Sequence, residues 1–358
     1  MKNSRLRQLL FGFGLIIVVA AVFIGLKAAA RRSAAPVVRW PAVPHEEPVY
    51  QGKPLSYWVI RAGDIGLNGA HQDAIEAIRA IGSNAVPFLL DWMPHYETTR
   101  RSGLSEVQAS GGIDIAWWAL GTEGRSAIPH LASILNQPQR TRDDYSVWTK
   151  SAIAISYLGP EAITPMLTAA TNMQGQHEVW ELIHNFGNLG TNGAPAVSAL
   201  IQWAQDPDYF VRDGVVSALG NIGQRPDLAL PVILNALEHD SDGMVRRDAA
   251  EALGCFARDS EAVLPELVKR LKDPNWEVRQ GAVSGLGKIG DKPDIVIPLL
   301  VPFLSDQNSV IERSAAYALL ELNCRTAYKA LAEHENPNIG DIVYQASEQE
   351  KARQRRFK

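Results

Sequence analysis

Two patterns of apolar residues divide the chain. The first is an unbroken run from Leu9 to Leu26, eighteen residues without a charged or strongly polar side chain. At about 1.5 Å per residue a helix of that length covers roughly 27 Å, close to the thickness of a bilayer's hydrocarbon core. Lys2, Arg5 and Arg7 precede it and Lys27, Arg31 and Arg32 follow it. The run therefore predicts a transmembrane signal anchor at 9–26 behind a basic head at 1–8. The alternative is a signal cleaved after Ala28-Ala29-Ala30, which would release a secreted protein, although the basic residues around that site disfavour processing. Charge is nearly symmetrical about the span, so it leaves orientation open. A short basic head before a single span resembles an export signal, which favours a body outside the cytoplasm.

The second pattern is periodic. Asp206, Asp240, Asp273 and Asp306 are separated by 34, 33 and 33 residues, and Val211, Val245, Val278 and Ile311 each follow five residues later. Between them, stretches such as VRDGVVSALGNIG (211–223), VRRDAAEALGCFA (245–257) and VRQGAVSGLGKIG (278–290) place apolar and small residues at helical spacing, commonly closed by glycine. The segments that follow put proline (Pro231, Pro265, Pro298) near the start of a second helix, where its missing N–H is least costly. Two helices in 33 or 34 residues define a solenoid unit that buries its apolar face only against its neighbours.

Earlier stretches keep the same order of helix, glycine, proline and helix: 74–90, 116–135, 147–170 and 179–204, the last one residue short in its first helix. The stretch 311–334 lacks the proline and terminal glycine, as a capping unit would. The prediction is an all-α chain: an α-solenoid of about eight two-helix repeats over 53–337, preceded by one transmembrane helix. Residues 27–52, with Pro36, Pro41, Pro44 and Pro48, read as a stiff spacer, and 338–358 as a solvated basic tail carrying Lys351, Arg353, Arg355, Arg356 and Lys358. Attraction of that tail to anionic lipid or an acidic partner is the alternative.

The units resemble HEAT repeats, in the phycobilisome-lyase-type HEAT-like form with an A-x-x-A-L-G-x-I-G helix and an A-x-P-x-L continuation. Residues 77–82, 218–223 and 285–290 carry the likeness best. The opening YQGKPLSYW (50–58) is similar to the start of bacterial HEAT-repeat proteins that have one N-terminal hydrophobic span. The resemblance implies an armadillo-like α-solenoid that binds proteins. It does not imply lyase activity, because fold does not fix function.

Composition narrows the chemistry. A net charge of −4 argues against general nucleic-acid binding. The two cysteines, Cys255 and Cys324, form no CxxC pair and read as isolated thiols. Gly285-Leu286-Gly287-Lys288-Ile289-Gly290 matches G-x-G-x-x-G, but it ends a helix where a dinucleotide fingerprint opens one. His177, Glu181 and His184 share a helix face at metal-ligand spacing, yet no further ligand is suggested, and solvated or interface histidines are the simpler reading. No nucleophile with a base and an orienter is evident. The residues thus predict no catalytic site, cofactor or metal.

Asp206, Asp240 and Asp273 each precede an arginine by six residues: Arg212, Arg246 and Arg279. In HEAT proteins similar columns form a ladder along the solenoid, and the resemblance implies the same structural role here, with Arg247 facing solvent. Units three and four have Trp148 and Trp180 in the arginine column and Arg142 and Gln174 in the aspartate column, which predicts aromatic packing in the N-terminal half. A one-residue shift of the short fourth unit would remove Trp180 from this set.

Aligned on the terminal glycine, one outward column of the first helices reads Glu76, Trp118, Ile153, His184, Ser217, Glu251, Ser284 and Tyr317. One turn on it reads Ala80, Thr122, Tyr157, Asn188, Asn221, Cys255, Lys288 and Glu321. In HEAT-type units the matching helix lines the concave side. Trp118, Ile153, Tyr157 and His184 are therefore the candidate partner-binding residues, with Trp117 taking the place of Trp118 if the register slips by one. The functional expectation is a non-enzymatic, membrane-anchored protein-interaction scaffold at a bacterial-type inner membrane. The alternatives are an enzyme or lyase-like accessory protein with a concave-face site, and a structural spacer in the envelope.

Overall fold

The computed structural model describes residues 43–63, 71–93, 106–137, 142–257, 260–290, 292–334 and 337–356. The head at 1–8, the span at 9–26 and the spacer as far as residue 42 lie outside the described residues. No helix among the described residues is long and apolar enough to cross a membrane.

The described body opens with a tight hairpin in which β1 (Val49–Tyr50) pairs antiparallel with β2 (Lys53–Pro54). Gln51 and Gly52 turn the chain with φ of 47° and 73°, the left-handed pair a two-residue hairpin requires. α1 (Leu55–Gly63) follows at once. Glu47 accepts the Ser56 N–H at 2.8 Å, and the Trp58 indole donates to the Tyr50 carbonyl at 3.3 Å. The end of the expected spacer is thus folded structure that buttresses the first helix. Two very short strands also qualify the all-α expectation.

Helix pairs follow in regular succession: α2 (Gln72–Ile81) with α3 (Val86–Trp92), α4 (Glu106–Leu120) with α5 (Ile128–Leu135), and α6 (Arg142–Ser156) with α7 (Ile163–Asn172). Next come α8 (Val179–Asn185) with α9 (Val197–Leu200), α10 (Tyr209–Ile222) with α11 (Pro226–His239), and α12 (Gly243–Gly254) with α13 (Ser260–Arg270). The series closes with α14 (Trp276–Lys288) and α15 (Pro293–Leu300), then α16 (Ser309–Glu321) and α17 (Arg325–Ala332). First helices stack on first helices, and the buried side chains form one continuous apolar core from Leu55 to Ala346.

The tail expected at 338–358 is instead largely helical. α18 (Gly340–Arg356) packs on α16 and α17. Ile339 and Ile342 are fully buried and Ala346 nearly so, an apolar stripe at helical spacing that outweighed the polar composition of this segment.

The repeated aspartates are turn residues. The carboxylates of Asp206, Asp240, Asp273 and Asp306 accept the N–H two residues on, and that next residue (Asp208, Asp242, Asn275 or Asn308) caps the following helix in the same way. Two successive side-chain turns therefore start each of these helices.

The arginine column forms no continuous ladder. Arg212 donates to its own unit through the Asp206 carbonyl at 2.8 Å and to the next through the Asp240 carboxylate. Arg246 and Arg279 keep only the first kind of bond, to the carbonyls of Asp240 at 2.7 Å and of Asp273 at 2.9 Å. Asp273 is met instead by Arg270 of α13, at 3.6 Å, so its charge is answered within the unit.

Trp148 is buried, stacks on Tyr145 and donates to the Leu135 carbonyl, which fits aromatic packing in the third unit. Trp180 does not share its position. It is half-buried one turn before His184, beside Phe210, because the short α8 advances the register by one residue.

Candidate functional site

Each interior first helix packs on its neighbours to either side and on its own partner helix, leaving one strip free. The columns Glu76 to Tyr317 and Ala80 to Glu321 fall on that strip, and no residue in either is buried. The neighbouring Ala77, Ala119, Ala154, Ala218, Ala252 and Ala318 are buried, because small side chains there let adjacent helices close up. Approach is tightest around α14. A Cβ on Gly254 would stand 2.1 Å from the Gly285 carbonyl oxygen, and one on Gly281 would stand 2.1 Å from that of Arg247. The glycines of Gly285-Leu286-Gly287 are thus helix-packing residues inside α14. Second helices α11, α13 and α15 are more widely set. In these C-terminal units the exposed strip runs along the closely stacked row of first helices.

On that face Trp118 is 49% exposed and Trp117 fully buried, which settles the register. The Arg79 guanidinium lies over the Trp118 ring, 5.5 Å from its centre, and its Nε donates to the Ala119 carbonyl at 3.3 Å. Ile153 and Tyr157 are half-buried on the next helix but one in sequence, α6, and His184 is exposed on α8. An ion pair, Lys150 Nζ to Asp114 at 2.6 Å, joins α6 to α4. Burial raises the Asp114 carboxyl despite that lysine, and burial followed by the Asp114 charge raises the Tyr157 hydroxyl.

Units three and four are joined through Glu181, which accepts from Tyr145 Oη at 2.6 Å and Thr149 Oγ1 at 2.8 Å. Burial and then Glu181 push the Tyr145 hydroxyl up to about 12. His177 pairs with Asp208 and stands edge-on to Phe210, while Glu181 is taken by Tyr145 and Thr149, so these two are engaged separately. Trp180 belongs to this face, and its only sequence signal was the one-residue deletion in the fourth unit.

Toward the C-terminal units the face becomes polar. A cleft of about 200 Å³ opens between His184, Ser217, Asn221, Asp248, Glu251 and Lys288. Lys288 Nζ meets Glu251 at 2.9 Å, and burial pushes the Cys255 thiol up. Arg247 is half-buried here with its Nε on Asp248, contrary to the expectation of solvent: it lies one turn before Glu251, on the same strip of α12. Cys255 and Cys324 are separate free thiols. Among the described residues no group of three or more His, Cys, Asp or Glu side chains is placed to hold a metal ion.

The family model for HEAT repeats matches residues 180–254 and 230–321. No curated protein sequence matches the chain. Solved structures similar to it include the karyopherin Kap121p bound to the SUMO protease Ulp1p, at 13% identity over 82% of this chain and 36% of that one, with a TM-score of 0.45. An engineered protein is similar at 20% identity over 83% of this chain and 88% of that one, TM-score 0.36. A designed armadillo repeat protein in complex with the peptide (KR)4 is similar at 21% identity over 55% and 99%, TM-score 0.37. The chain spans about a third of the karyopherin's length, 35% in the crystal structure of Kap121p.

Proposed function

We propose that this chain is a non-enzymatic, membrane-anchored scaffold that holds a protein partner on the inner face of its HEAT-type solenoid. The observation that carries the reading is Trp118, which is 49% exposed on a strip shared with Ile153, Tyr157, Trp180 and His184. An indole held open to solvent beneath a guanidinium is a common energetic anchor at protein interfaces. Residues 9–26 serve as the anchor, in a bacterial-type inner membrane with the solenoid on the extracytoplasmic side. Resistance of the full chain to alkaline extraction supports the anchor. Recovery of a mature form beginning near Arg31 in the soluble fraction refutes it. The A-L-G-x-I-G units resemble the phycobilisome-lyase-type form, and the proposal takes from this their architecture alone.

Crosslinking in the native membrane, with the captured protein then identified, tests the scaffold reading. Trp118→Ala should weaken capture of that partner by about 2 kcal/mol, nearly thirtyfold, with the melting temperature almost unchanged. Unchanged capture would remove Trp118 from the docking surface. An empty pull-down from wild type would favour a structural spacer.

A further inference from the structure

The joint between α10 and α12 carries more acid than base. Asp213 lies one turn before Ser217 on α10, and Ser217 Oγ meets Asp248 of α12 at 3.4 Å, which brings the two carboxyl groups to the same joint. Asp248 is supplied by the Arg247 Nε on one oxygen and loosely by Ser217 Oγ, at 3.4 Å, on the other. Asp213 Oδ1 is buried with no donor.

The surrounding elements offer this pair little counter-charge. Arg212, next in sequence, turns away to Asp240. Asp242 at the start of α12 adds negative charge, and Glu251 is tied to Lys288 of α14. On α8, Glu181 is occupied by Tyr145 and Thr149, and His184 stands across the cleft that Asp248 lines. The segment Phe186–Ala196 has no charged residue, and α11 keeps its charges at its two ends, Asp227 with Arg225 and Glu238 with His239. The helices also cannot easily separate the two carboxyls while staying packed, since a Cβ on Gly220 would stand 2.7 Å from that of Ala252.

Two neighbouring carboxyl groups served by one arginine are most stable with one proton between them. We propose that Asp213 and Asp248 share a single proton that clasps α10 to α12, making this joint of the solenoid loosen when the proton is lost. Burial, the Asp248 charge and the bond to Asp248 push the Asp213 carboxyl up to about 8. Because this value is raised on folding, the stability it contributes is full below the ordinary 3.8 and is lost as pH rises through about 8. Coupling in a solenoid runs between neighbours, so the change is confined to the units flanking the joint.

Hydrogen exchange on the full chain in lipid nanodiscs at pH 6 and pH 9, corrected for intrinsic exchange rates, tests the clasp. Between pH 6 and pH 9, which bracket the Asp213 value of about 8, protection of α10 and α12 should fall about a hundredfold, with α16 and α17 unchanged. Asp213→Asn, whose amide supplies the missing donor at all pH values, should abolish that response. An equal fall in the variant, or a fall of the same size in α16, overturns the proposal. Should the variant fail to fold, infrared titration of wild type decides. A protonated-carboxyl band that disappears between pH 7 and 9 supports the clasp, and its absence overturns it.

Discussion

Arg212 and Asp240 meet across a unit boundary through two parallel bonds, Nε to Oδ2 at 2.7 Å and Nη2 to Oδ1 at 2.9 Å. Both side chains are largely buried, at 14% and 7% exposure. Burial opposes the Asp240 charge, but the guanidinium and the Asp242 N–H outweigh it and hold the carboxyl below its usual range. Removing one partner of such a pair strands the other charge. Arg212→Ala should therefore destabilise the fold by about 3 kcal/mol. Arg246→Ala, which loses only a bond to a carbonyl, should cost about 1 kcal/mol. Thermal melts of the two variants compare them directly, and equal shifts would show that the carboxylate pair adds nothing. Because the Asp240 value is depressed on folding, the pair's stabilisation is present above pH 3.8 and lost as pH falls through the lower folded value.

Adjacent tryptophans should respond in opposite ways. Trp117 is fully buried, and Trp117→Ala should lower stability by about 3–5 kcal/mol through the cavity it leaves. Trp118→Ala gives up its contact with Arg79, worth about 0.5–1 kcal/mol at an exposed site. Denaturant titrations of the two proteins separate these values, and a large loss for Trp118 would place it in the core.

Glycine at the tightest helix crossing is a steric requirement. Gly254→Ala sets a methyl group against the Gly285 carbonyl and should cost about 1–3 kcal/mol or more, whereas Gly290→Ala, with open space around it, should change stability by less than about 0.5 kcal/mol. Indistinguishable melting curves would mean that α12 and α14 are set further apart than described above.

The His177–Asp208 contact joins the fourth and fifth units. The bond to Asp208 raises the His177 imidazole above its ordinary 6.5. Its contribution should be full below pH 6.5 and fade as pH rises through the raised value. Asp208→Asn keeps the cap of α10 while removing the charge, so it should bring the His177 titration, followed by NMR, back toward 6.5. No movement of that titration would show the histidine to be independent of Asp208.

The order of helices and the identity of the exposed strip were legible in the chain, because both rest on periodicity. A 33- or 34-residue step and a 3.6-residue turn are local regularities, and every residue named on the two outward columns lies off the core. The 9–26 run predicts a membrane span by the same kind of local argument. Trp118 over Trp117 was less secure, since a one-residue register difference reverses the two, and the burial pattern decides it.

Long-range partnership was not legible. Position alone makes Arg212, Arg246 and Arg279 equivalent, yet of the three Arg212 is the one that meets a carboxylate in the next unit, and the Asp273 that Arg246 would reach is met by Arg270. Arg247 reads as a surface charge, yet it is half-buried on α12, where its Nε meets the adjacent Asp248. The final helix was missed because its apolar stripe, Ile339, Ile342 and Ala346, is sparse and gains its meaning only from the open face of α16 and α17. The sequence by itself determines which residues repeat and which face they share. The tertiary structure decides which charges meet, because those distances depend on how closely each pair of units approaches, and that approach is set by side-chain volume across the joint.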